Sequence, residues 1–242
     1  ENFELKSRPE ANSGCEDPRL TILGDTIYMC YTAYAGEGNP RVALTSISKK
    51  DFLKKNWKWK KPVLISPPGI DDKDAAIFPK KIKGKYSILH RLGTEIWLDY
   101  VDDLNFDGEK WIKGNVIISP RPGARDSKKI GIAAPPIETK KGWLLLYHGI
   151  SKREDNHYHV RAALLDKKDP SKVIARSRDP ILETEMFYEK NGLTANVVFP
   201  CGAAVVNDTL YVYYGAADKF VCAATVPIKE LIKSLLAEAK KK

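Results

Sequence analysis

Apolar and polar positions along this chain alternate in short runs rather than in helical stripes, and the runs recur. Four segments share one grammar: a polar or proline-containing entry, an apolar strand, a tight turn, a second strand ending near a Tyr or His, and a third strand. The first copy is 17–23, a turn at Gly24-Asp25, then 26–34 and 41–47. The second is 74–79, a turn at Lys83-Gly84, then 85–91 and 95–101. The third is 133–139, a turn at Lys141-Gly142, then 143–149 and 158–165. The fourth is 199–206, a turn at Asn207-Asp208, then 209–215 and 220–226. Gly or Asn-Asp between two apolar runs is a hairpin signal, because such turns need residues that tolerate positive φ. The second strands centre on Met29, Ile88, Leu145 and Val212, a period of roughly 60 residues. Antiparallel sheets of three or four strands repeated at this spacing predict an all-β fold, a β-propeller with at least four blades. Helical spacing is confined to 228–241, with Leu231, Ile232, Leu235 and Leu236 on one face.

Propeller geometry also says where chemistry would gather, since equivalent positions of successive copies converge near the axis. The first-strand entries carry Asp17 and Asp74. The second-strand ends carry Tyr31, Tyr34, His90, Arg91, Tyr147, His148, Tyr213 and Tyr214, and Arg41 and Asp218 lie just beyond. Acids, cations and aromatics at such positions suit a pocket for a polar, ring-shaped ligand.

Composition narrows the alternatives. The 242 residues suffice for one large domain, and no apolar run reaches the ~20 residues of a membrane span. No apolar leader is present, so a cytoplasmic location is expected. The net charge of +9 is dispersed over 49–61, 80–85, 128–141 and 240–242 with no nucleic-acid-binding motif, which predicts solvated lysine faces and no nucleic-acid partner. Cys15, Cys30, Cys201 and Cys222 lack metal-ligand spacing and sit in or beside apolar stretches, so buried free thiols and no metal are expected. Residues 183–189 read as a surface loop, and Trp57, Trp59 and Trp111 as packing between blades.

Carboxylates with aromatics suggest glycoside chemistry. An inverting hydrolase needs an acid and a base carboxylate. Cations at the pocket positions (Lys73, Arg91, His148, with Lys129 and Arg41) would weaken such a base by lowering its pKa. They suit a nucleophile that is already an anion, such as phosphate, which needs only charge-assisted hydrogen bonds. The structural alternative for Arg91 is an ion pair with Asp74 or another acid.

Several segments, in order over nearly the whole chain, resemble glycoside hydrolase family 130, the β-mannoside phosphorylases and related mannosidases. They are Gly14-Cys-Glu-Asp-Pro-Arg19, Tyr31-Thr-Ala-Tyr34, Lys73-Asp-Ala-Ala-Ile-Phe-Pro79, Gly84-Lys-Tyr-Ser-Ile-Leu-His-Arg91, Lys129-Ile-Gly131, Pro135-Pro-Ile137, Gly142-Trp-Leu-Leu-Leu-Tyr-His-Gly149, Asn196-Val-Val-Phe-Pro-Cys-Gly202 and Tyr213-Tyr-Gly-Ala-Ala-Asp218. The resemblance implies a five-bladed propeller with about four blades in this chain, a single catalytic domain over 1–242. It implies inverting phosphorolysis of β-mannosyl oligosaccharides to α-mannose 1-phosphate, a hexosyl transfer to phosphate. Asp17 would be the general acid, relaying its proton through the mannose 3-hydroxyl. Lys73, Arg91, His148 and Tyr158 would bind phosphate. Arg19, Tyr34, Arg41, Asp74, Lys129 and Asp218 would line the sugar site. No cofactor beyond inorganic phosphate as co-substrate is implied, and homo-oligomers are common in the family. Family members carry about one more blade ahead of the Glu-Asp-Pro-Arg motif, where this chain has residues 1–15. The rival readings are a β-mannosidase on the same scaffold and an inactive sugar-binding propeller.

Overall fold

The computed structural model describes residues 13–153 and 157–240. The chain divides into two compact units, Glu1–Val116 and Ile117–Lys242. In the first, β1 (Gly14–Leu23), β2 (Thr26–Tyr34), β3 (Arg41–Ser48) and β4 (Val63–Leu64) form an antiparallel meander, with the short helix α1 (Lys49–Leu53) between β3 and β4. A second meander follows from β5 (Asp72–Ile77), β6 (Tyr86–Leu92), β7 (Glu95–Val101) and β8 (Asn115–Ile118), and the chain enters the second unit within β8.

The second unit builds its first sheet from β9 (Lys129–Ile132), β10 (Ile137–Thr139), β11 (Gly142–Ile150), β12 (His159–Leu165) and β13 (Val173–Arg176). The short helix α2 (Phe187–Lys190) leads to its second sheet, β14 (Val198–Val206), β15 (Thr209–Ala216) and β16 (Phe220–Pro227), and the chain continues into α3 (Ile228–Ala239). The four sheets correspond one to one with the four sequence copies. Of the predicted strand at 133–139 only 137–139 forms one, β10, and β9 at 129–132 precedes it, the two pairing with separate parts of β11. Pro135 and Pro136 lie in the break, where two residues without an N–H cannot continue a ladder.

Each unit has its own core. Cys30, Val42, Leu44, Ile65, Ala75, Ile77, Ile88 and Ile112 join the two sheets of the first unit. In the second, Leu144, Leu146, Leu164 and Leu210 meet Ile228, Leu231, Ile232 and Leu235 of α3, the i, i+3, i+4, i+7 face that the sequence presents. β11 is buried along its whole length. β1 is inverted: Arg19 and Thr21 are buried, while Leu20 and Ile22 are exposed. The polar row is satisfied across the unit, with the Thr21 hydroxyl donating to the Ile77 carbonyl at 2.9 Å. That inversion places a charged group inside the fold beside β5.

Three expectations are corrected. Of the four cysteines only Cys30 is buried; Cys15 is exposed, because it falls on the outward side of β1. Trp57 is 58% exposed and packs edge-on against Phe52 of α1, rather than between blades. Glu189 is buried inside the 183–189 segment: it accepts the backbone N–H groups of Glu185 and Met186 and the Tyr214 hydroxyl. Among the described residues no helix is long and apolar enough to cross a membrane, and no His/Cys/Asp/Glu group could hold a metal ion.

Candidate active site

In the first unit the two aspartates that open successive copies sit inside strands, not at their entries. The β1–β2 register slips between Glu16 and Arg19, and the β5–β6 register slips between Lys73 and Ala76. At each bulge the Asp has a left-handed backbone, φ 55° at Asp17 and 56° at Asp74. Asp tolerates that region better than most side chains do. A bulge turns one side chain away from the regular alternation, a frequent device beside active sites. Pro18, which has no N–H to offer a ladder, is accommodated by the same bulge.

The two bulges are tied together. Lys73 Nζ lies 3.6 Å from Glu16 Oε2, pairing the residues that precede the two aspartates. Arg19, 1% exposed, donates from Nη1 to the Asp17 carbonyl at 2.7 Å and places Nη2 3.4 Å from Asp74 Oδ1. Arg91 of β6 places Nη1 3.2 Å from Asp74 Oδ2 and Nη2 3.4 Å from Asp71. Burial, and after it the negative charge of Asp74, push the Asp17 carboxyl up to about 6, against the opposing pull of Arg19 and Lys73. A carboxyl with that value titrates close to neutrality, the range in which proton transfer to a leaving group is effective.

Beneath this cluster lies a buried pair. His90 Nδ1 is 2.9 Å from Asp72 Oδ2, and His90 Nε2 is 2.8 Å from the Lys113 carbonyl. Both ring nitrogens face acceptors, so the geometry favours the imidazolium. Burial alone would lower the His90 pKa, but the hydrogen bond and charge of Asp72 and the Lys113 carbonyl raise it above its ordinary value.

The second unit assembles a cluster of rings. His148 of β11 is fully buried, with Phe199 at 4.5 Å and Tyr158 at 5.6 Å between ring centroids, and Lys129 Nζ lies 5.6 Å from the Tyr158 ring. The β9–β11 and β11–β12 registers bring these groups together: His148 lies opposite Gly131 and Val160, and Lys129 opposite Ile150. Nearby, buried Asp126 accepts from Arg121 Nη2 and Arg176 Nη2 at 2.9 and 2.7 Å and from the Tyr147 hydroxyl at 3.1 Å. Arg161 Nε is 3.7 Å away. Burial would raise the Asp126 carboxyl, but the arginines hold it below the usual carboxylate range. Gly149 makes this approach feasible, since a Cβ there would come within 2.8 Å of the Asp126 Cβ.

Of the residues singled out from the sequence, Asp17, Arg19, Lys73, Asp74 and Arg91 meet in the first unit, and Lys129, His148 and Tyr158 in the second. Tyr34 is half-buried at the end of β2, opposite Gly14. Arg41 is engaged locally, donating from Nε to the Ser66 carbonyl at 3.0 Å and lying 4.9 Å from the Trp111 ring. Asp218 is exposed in the β15–β16 turn with φ 52°. Sequence reasoning missed Glu16, Phe199, the His90–Asp72 pair and the Asp126 cluster. Glu16 and Phe199 both stand inside the quoted motifs, where neither had been assigned a role. The Asp126 cluster draws on separate segments with no common spacing and left no readable signal.

The family model described as beta-1,4-mannooligosaccharide phosphorylase, that of glycoside hydrolase family 130, matches residues 4–237. The chain belongs to glycoside hydrolase family 130. Among its family relatives, the beta-1,2-mannobiose phosphorylase of Thermoanaerobacter sp. (strain X514) is 46% identical over 93% of this chain and 70% of its own length. The beta-1,2-mannobiose phosphorylase of Listeria innocua is 40% identical over 94% of this chain and 61% of its own length. A structure of the Listeria innocua enzyme with β-1,2-mannobiose superposes with a TM-score of 0.80, covering 93% of this chain and 61% of that one at 38% identity. This family 130 chain thus spans between three-fifths and seven-tenths of the length of these relatives.

Proposed function

We propose that this chain is a β-1,2-mannoside phosphorylase that inverts the anomeric centre, with Asp17 as its general acid. The observation that carries the reading is the state of the two bulge carboxylates. Asp17 is held near 6, in the range of an acid. Asp74 lies between Arg19 and Arg91, and two guanidiniums make a carboxylate a poor base. A hydrolase would need that second carboxylate to deprotonate water. Phosphate arrives already ionised, so the pairing of Asp74 with two arginines favours phosphorolysis over the mannosidase alternative.

In the proposed reaction a phosphate oxygen forms a bond to the anomeric carbon as the bond from that carbon to the glycosidic oxygen breaks on the opposite face. The Asp17 proton goes to the leaving oxygen, through the sugar 3-hydroxyl as the family resemblance implies. The products are α-mannose 1-phosphate and a saccharide one unit shorter. In the first unit Lys73 and Arg91 would take phosphate oxygens, and Arg19 would support the sugar. In the second, His148, Tyr158 and Lys129 form the groups suited to an anion. The β-1,2 linkage rests on the relatives that are 40–46% identical, which carry that linkage in their names.

The test is incubation of the purified protein with β-1,2-mannobiose, with and without phosphate, with detection of mannose and mannose 1-phosphate. Mannose 1-phosphate that appears only with phosphate is expected. Mannose released without phosphate, and no mannose 1-phosphate with it, would overturn the proposal in favour of a hydrolase; binding without turnover would favour a sugar-binding protein.

A further inference from the structure

The two bulges of the first unit are near copies of one device, but their aspartates sit in different surroundings. Asp74 is 1% exposed, and each of its carboxylate oxygens faces a guanidinium from a different strand, Arg19 on β1 and Arg91 on β6. A carboxylate so enclosed has little left to offer a sugar hydroxyl, in contrast to the sugar-lining role the family resemblance implies. Its place in the fold is that of a clamp. Arg19, which it holds, in turn holds the backbone of the Asp17 bulge. Arg91, which it also holds, is one of the cations assigned to phosphate.

We propose that Asp74 is a positioning residue: its buried carboxylate fixes Arg19 and Arg91 and sets the charge that faces Asp17. This rests on the reading of Asp17 as the general acid. The charged groups acting on Asp17 are Asp74 and Lys73 from β5 and Arg19 and Glu16 from β1. Asp74 faces Arg19 and Arg91 and acts on Asp72 farther along β5. Strand β2 brings only the weakly acidic Tyr28, Cys30, Tyr31 and Tyr34. Asp74 therefore opposes Arg19 and Lys73 at Asp17. Removing its charge weakens the opposition to those cations and lets Asp17 ionise at lower pH. Removing Arg91 does the reverse, because Asp74 then acts on Asp17 with less compensation.

The opposite signs give the test. Phosphorolysis by the purified protein is followed from pH 4.5 to 9 for wild type, Asp74→Asn, Arg91→Gln and Asp17→Asn, with separate KM values for phosphate and mannoside. The titration of phosphate itself is common to all and cancels in the comparison. Asp74→Asn is expected to move the alkaline limb of kcat to lower pH by about one unit. It is also expected to raise the phosphate KM roughly tenfold, the effect of about 1.4 kcal/mol lost at one cation. Arg91→Gln should move the limb to higher pH. Limbs that stay fixed, or that move in the same direction, overturn the proposal, as does an Asp74→Asn effect confined to the mannoside KM. If Asp74→Asn does not fold, the direction of the Arg91→Gln shift decides. Activity surviving in Asp17→Asn would instead refute the general acid itself, and so separates the two failures.

Discussion

Burying the Asp17 carboxyl has a cost, once it ionises, that stability measurements can read. The carboxyl is held at about 6 in the folded chain against 3.8 for an ordinary aspartate. Each pKa unit corresponds to about 1.36 kcal/mol, so the ionised form destabilises the fold by about 3 kcal/mol. The sign follows from proton uptake. Below pH 3.8 both folded and unfolded chains hold the proton, and the group contributes nothing. Between 3.8 and about 6 the folded chain retains a proton that the unfolded chain has lost, so stability falls as pH rises. Above about 6 the full cost is present. Asp17→Asn removes the ionisation, and Asn is among the side chains most at ease at φ 55°, so the bulge is retained. The variant should therefore unfold at higher temperature than wild type at pH 8, by as much as roughly 6–12 °C at 2–4 °C per kcal/mol. The gain should shrink steadily toward pH 4, and phosphorolysis should fall by at least about a hundredfold. Calorimetry of both proteins at pH 4, 5, 6, 7 and 8 checks this. A difference in Tm that does not depend on pH, or an Asn variant less stable than wild type at pH 8, would refute the reasoning.

Two further outcomes follow from the buried pairs. His90→Gln should destabilise the protein by about 3 kcal/mol at pH 6, because breaking one side of a buried pair strands the other. Since the folded His90 pKa is raised, its contribution is complete below the ordinary value of 6.5 and is lost as pH rises through the folded value, so the penalty measured by urea unfolding should be smaller at pH 9. Asp126→Asn leaves Arg121, Arg161 and Arg176 without their shared counter-charge and should cost about 3–5 kcal/mol in the same assay.

The four sheets were legible because hairpins announce themselves. At Asn207-Asp208 both residues take positive φ, 48° and 64°, and side chains with that tolerance are rare enough to stand out between apolar runs. The closing strands β4, β8 and β13 were not legible, since two to four residues are too few to show alternation. That Asp17, Arg19, Lys73, Asp74 and Arg91 stand out was legible through motifs, but their contacts were not. Nothing in the order Lys73-Asp74 tells that one aspartate is clamped by two arginines while the other has its pKa raised to about 6. That distinction arises from contacts between β1, β5 and β6, residues some 55 positions apart. Glu189 shows the same limit: a polar stretch reads as solvated until Tyr214 and two backbone N–H groups are seen to converge on it.

The repeated bulge also restricts which acid this scaffold can evolve. A glutamate has the same carboxyl group and a longer reach, and would be a natural exchange on chemical grounds. At a left-handed backbone position, however, it forgoes the local hydrogen bonds that make the region tolerable for Asp and Asn, at a cost of about 1–2 kcal/mol. The backbone therefore selects the amino acid before the reaction does. Exchange of Asp17 for Asn keeps the shape of the bulge and abolishes the proton, whereas glutamate keeps the proton at a cost to the bulge.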